Sequence, residues 1–110
     1  MNIDISQLEF IDSKLRKIAL AVADQFDVDF TITSIYRIGD SGVHGTLPCR
    51  GLDLRCREDH FGRLIEDFVN THWQYDPNRE NMKCCMYHDV GSGKHIHLQT
   101  HPNTVRINTP

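Results

Sequence analysis

The chain has 110 residues, room for one ordinary domain, of which 39% are hydrophobic and 25% charged. That balance excludes a disordered, collagen-like or coiled-coil chain, and the longest apolar run, residues 18–23 (IALAVA), is far short of the ~20 residues that span a bilayer. A net charge of −3 disfavours nucleic acid as the main partner. Asp4, Glu9 and Asp12 stand where a signal peptide would carry a basic start, so the expectation is cytoplasmic synthesis without an export signal.

In chain order, Ser6 and Glu9 match a capping box that opens a helix. Leu8, Ile11, Leu15, Ile18 and Val22 then recur at spacings of three and four, which predicts an amphipathic helix over residues 6–26. Residues 30–36 (FTITSIY) read as a strand, and 37–50, with its glycines and a proline, as a loop. Residues 51–56 alternate, with Leu52 and Leu54 on one face and Gly51, Asp53 and Arg55 on the other. A second apolar stripe, Phe61, Leu64, Ile65, Phe68 and Val69, predicts a helix over 59–72. Residues 82–88 read as a strand, 90–93 as a tight loop, and 94–101 as a strand with His95, His97 and Gln99 on one face and Ile96 and Leu98 on the other. The tail, 103–110, reads as frayed. The expected fold class is α+β: a small, mainly antiparallel sheet with two helices packed on one face, in a single domain spanning 1–110.

Seven histidines, six of them after residue 59, point to a metal or acid–base site; the plainer reading of any one of them is a solvated imidazole. Cys49, Cys56, Cys84 and Cys85 form no C-x-x-C pair, so they read as reduced, buried small apolar residues. His95 and His97 share a strand face that either meets solvent or lines a cleft. His44 and Asp53 bracket a Gly-rich loop; two imidazoles and a carboxylate suit zinc with an open fourth position. Arg37, at the end of a strand, suits a substrate carboxylate or carbonyl oxygen, or simply the surface. Trp73 and Tyr75 are expected in packing, and Met82 and Met86 as core filler; His60, His72 and His101 are expected in solvent.

The run Thr33-Ser-Ile-Tyr-Arg37, then His44 and Asp53, then His95-Ile-His97, resembles the zinc D-alanyl-D-alanine peptidase superfamily, which shares the Hedgehog/DD-peptidase fold. The small size most resembles stand-alone phage-encoded members of the endolysin type. The resemblance implies Zn2+ on His44, Asp53 and His97, and a peptidoglycan stem peptide as substrate, with one amide bond hydrolysed. It also implies His95 or Arg37 beside the developing oxyanion. Three departures stand in the loop: the His-to-Asp spacing is nine where the family has seven, Ser41 lies three before His44, and Gly51 replaces the usual Ala. The family's general base, an acid three or six residues before the last metal His, is replaced by Lys94 and Gly91. Asp89 is the expected base if 82–89 and 94–101 form a hairpin, with His88 and His95 as alternatives. The competing expectations are a metal-binding module of the same fold without catalysis, a small His-Asn-His nuclease and a regulatory protein without metal. No membrane partner is expected, and a monomer is favoured.

Overall fold

The computed structural model describes residues 11–26, 32–34, 49–89 and 93–107. Its elements are helix α1 (Ser13–Phe26), strands β1 (Ile32–Ser34) and β2 (Gly51–Arg55), helix α2 (Asp59–His72), and strands β3 (Trp73–Gln74), β4 (Cys85–Asp89), β5 (Lys94–Gln99) and β6 (Val105–Arg106). The α+β class is as expected: the main sheet has the order β1-β2-β5-β4, and every pairing in it is antiparallel.

The first helix starts later than its apolar stripe suggests. The Ser6–Glu9 capping box lies outside the described residues, and Ile11 is not helical but forms a bridge to Cys49. Asp12 caps the described helix. Its carboxylate accepts from the backbone N–H groups of Lys14 at 3.0 Å and Leu15 at 3.1 Å, and from the Thr100 hydroxyl at 3.0 Å. Its own N–H donates to the Cys49 carbonyl at 2.9 Å. Tertiary partners thus hold residues 11 and 12 extended, and an acid there satisfies the orphan donors of the first turn. Helix α2 matches its predicted bounds. Glu58 caps it by accepting from the N–H groups of His60 and Phe61.

Alternation divides the sheet into two unlike faces. Leu52, Leu54, Cys85, Tyr87, Ile96 and Leu98 are buried with Leu15, Ile18 and Val22 of α1 and Ile65 and Val69 of α2. The opposite face carries Asp53, Met86, His88, His95 and His97. Met86 therefore stands on the polar face opposite His97, not in the core. Between β4 and β5, Gly93 takes a φ of +106°, a left-handed conformation that costs a glycine little.

The expected frayed tail is corrected for residues 103–107. β6 pairs antiparallel with β3, Trp73 opposite Arg106 and Gln74 opposite Val105. Thr104 is buried, and its hydroxyl donates to the Tyr75 carbonyl at 2.8 Å. The Ile107 N–H donates to the His72 carbonyl at 2.8 Å. Two residues of strand have no periodicity to read, which is why the pattern missed them. His72, expected in solvent, is half-buried: Nδ1 lies 2.7 Å from the Phe68 carbonyl and the ring contacts Phe68 and Trp73.

All four cysteines are free and buried. Burial pushes the Cys84 thiol up to about 12 and Cys85 higher still, so neither is a thiolate near neutral pH. Among the described residues, no helix is long and apolar enough to cross a membrane.

Candidate metal centre

The polar face of the sheet gathers its groups by register. Asp53 on β2 is paired with His97 on β5, and His97 is paired with Met86 on β4. One pair further along, Arg55, His95 and His88 stand side by side. Three strands thereby place one carboxylate and three imidazoles on neighbouring positions, because cross-strand partners point to the same side. The His88 and His95 rings meet edge to face with centroids 4.7 Å apart, and His88 lies 6.3 Å from His97.

The tightest contact is between Asp53 and His97. Asp53 Oδ1 lies 2.7 Å from His97 Nδ1, with the two side chains only 8% and 13% exposed. On the other side of the ring, His97 Nε2 lies 3.1 Å from Gln99 Oε1. The Gln99 amide is oriented by a third group: its Nε2 donates to the Lys83 carbonyl at 2.8 Å. That bond turns the amide oxygen, an acceptor only, toward the imidazole. Nε2 of His97 must then carry a hydrogen. Nδ1 is left either protonated, as in an imidazolium, or presenting a lone pair toward the Asp53 carboxylate. The second state calls for a cation, or a proton on the carboxyl, between the two atoms.

A carboxylate and an imidazole nitrogen are both donor types that zinc takes. A tetrahedral ion at ~2.0–2.1 Å from each ligand holds neighbouring donor atoms about 3.3 Å apart. Asp53 and His97 need to part only slightly from their 2.7 Å contact to reach that separation. An imidazole that binds through one nitrogen and donates from the other to a fixed amide oxygen is the usual outer-shell arrangement. Asp53 and His97 are the two described residues that would hold the ion. Among the described residues no group of three His, Cys, Asp or Glu side chains converges to hold one. His44, the expected third ligand, lies outside the described residues, as does Arg37.

The other expected site residues divide. His95 is on the polar face beside His88. Asp89, expected as the base, is paired with Lys94, and that pair belongs to the helix side of the sheet. Lys94 shows the direction, since its Nζ donates to Asp59 Oδ1 on α2 at 2.7 Å. The hairpin forms as expected, but the strand period of two carries Asp89 away from His97. His88 is the imidazole that the register brings in. Burial first, and then the neighbouring His95 and His97, lower its pKa below the ordinary imidazole value, so it is a neutral proton acceptor near pH 7. Alternation puts Gln99 on the His face, yet nothing in the sequence announces its contact with His97, which depends on the Lys83 carbonyl just before β4.

Comparison with family models, with curated proteins and with solved structures finds no match to this chain.

Proposed function

We propose that the chain is a zinc-dependent metallopeptidase of the Hedgehog/DD-peptidase type that hydrolyses an amide bond in peptidoglycan stem peptides, in the manner of a small phage endolysin. The observation that carries the metal is the Asp53–His97 pair with Gln99 fixed behind it. The peptidase class and the substrate rest on the resemblance of 33–37, His44, Asp53 and 95–97 to that family. In this reading His44, Asp53 and His97 hold the ion, which when bound lowers the pKa of water and polarises a carbonyl. His88 or His95 accepts the proton, and His95 or Arg37 donates to the substrate oxygen. A donor positioned for the oxyanion contributes about 3–4 kcal/mol in a site that excludes water.

The position of Asp89 on the helix side favours a second reading, in which the same residues bind metal and no bond is cut. Metal content of the purified protein decides the first half of the question. About one zinc per chain, lost in His97→Ala and in Asp53→Asn, is expected; a folded parent that takes up none refutes the centre. Release of new amino groups from isolated peptidoglycan by the zinc-loaded parent, absent in His97→Ala, is expected of the peptidase. Retained zinc with no release assigns the module.

A further inference from the structure

On the far side of α1 from the sheet core, the molecule carries a hollow of about 470 Å³ between that helix and the β3–β6 pair. Its floor is apolar: Leu20, 54% exposed, with Ala21 and the Trp73 ring. Its rim is cationic. Lys14, Lys17 and Ala21 follow one another at spacings of three and then four on one face of α1, and Arg106 comes from β6. No acidic side chain lines it among the described residues. The chain as a whole has 15 acids against 12 Lys and Arg, so three cations and no acid among the described residues around one apolar hollow reverse the overall balance.

Two of the cations are held in place by the fold. The register that pairs Trp73 with Arg106 sets the guanidinium 5.3 Å from the centre of the indole ring. Lys14 Nζ donates to the Pro102 carbonyl at 2.6 Å, which restrains its side chain. The volume is that of a small-molecule site, where an apolar lining supplies burial and a few polar groups fix orientation.

We infer that this groove binds a small organic anion with an aromatic or branched aliphatic body, its carboxylate, sulfonate or phosphate meeting Lys14, Lys17 and Arg106 while the body lies on Leu20 and Trp73. The site is separate from the histidine face, which lies on the other side of the sheet, and it does not depend on the peptidase reading.

Trp73 is the single tryptophan of the chain, so the floor of the groove carries its own reporter. The probe is 8-anilinonaphthalene-1-sulfonate, titrated into the full chain with excitation of Trp73. Expected are saturable quenching of Trp73 at one dye per chain and weaker binding of the uncharged N-phenyl-1-naphthylamine. Binding is expected to weaken about tenfold or more in Lys17→Glu and in Arg106→Glu. Lys17 is an exposed helix position, so Lys17→Glu keeps the test valid if loss of the Arg106–Trp73 contact unfolds the second variant; a melting curve checks each. Dye uptake that does not saturate, equal binding of the uncharged analogue, or unchanged affinity in a folded Lys17→Glu overturns the inference.

Discussion

Gly62 sits where α2 crosses Tyr87, and a Cβ there would collide with Cε1 and Cδ1 of the ring. Alanine would gain up to ~1 kcal/mol of helix propensity, but forcing an atom into packed space costs typically ~1–3 kcal/mol. The ring is pinned from above by Arg63, 5.2 Å from its centre, and by its hydroxyl, which donates to Asp59 Oδ1 at 2.7 Å, so it has little room to yield. Gly62→Ala is therefore expected to lower stability by about 1–2 kcal/mol in a urea melt; a more stable variant would show that the ring moves. The same hydroxyl gives a pH signature. Hydrogen bonds from Lys94 and Tyr87 hold Asp59 below the ordinary 3.8, so its contribution is present above that value and lost as pH falls below it. Burial, with Asp59 beside it, pushes Tyr87 up to about 12, so its contribution is present below the usual tyrosine value of 10 and lost as pH rises through 12. The stability difference between the parent and Tyr87→Phe is expected to be flat from about pH 5 to 9 and to shrink toward both extremes. A difference that persists unchanged to pH 2 would contradict the assignment.

Strand β4 is a sheet edge, and an open edge invites pairing with another chain. Here helix α2 closes it with side chains. Asn70 acts as a substitute strand residue: its Oδ1 accepts from the Cys85 N–H at 3.0 Å and its Nδ2 donates to the Cys85 carbonyl at 2.8 Å. Four residues earlier, one helical turn, Glu66 Oε2 accepts from the Tyr87 N–H at 2.8 Å. The match works because two strand residues and one helical turn advance the chain by similar distances, about 6.6 and 5.4 Å. Asn70→Ala would strip both partners from Cys85, at about 1–3 kcal/mol, and speed hydrogen exchange of that amide. Asn70→Asp keeps the acceptor and loses the donor, so its loss is expected to be smaller. Equal stability of the two variants would show that solvent replaces Asn70 at the edge.

Across the whole molecule, one sheet serves two environments. Its helix side holds the core, while its other side carries the buried Asp53 and the half-buried His88, His95 and His97. The β3–β6 pair ties the end of the chain back to the end of α2, which makes residues 103–107 part of the fold. Deleting 103–110 is expected to lower the melting temperature by several degrees, since about 1 kcal/mol shifts Tm by ~4–8 °C in a domain this size. It is also expected to move Trp73 emission to longer wavelength as β6 uncovers the indole. A truncated chain with the parent's melting curve and spectrum would show the pair to be dispensable.

The elements with a clean period were legible from residues alone. The Phe61–Val69 stripe announces α2, and K-H-I-H-L-Q announces β5 together with the face that bears His95, His97 and Gln99. Those patterns are local, so burial on one side of a helix or strand is written in them directly. What neighbours those elements is not written there. Asp12 caps α1 in contacts with Cys49 and Thr100, which reach it from distant parts of the chain. Residues 105–106 become a strand only because Trp73 and Gln74 offer an edge. Asp53 meets His97, and Asp89 faces away from it, through a register in which a shift of one residue would exchange the two faces. The sequence by itself determined the α+β class, the second helix, and which side of each strand is polar. Only the tertiary structure decided which polar residues touch, because strand pairing joins positions 44 residues apart and no local spacing records it.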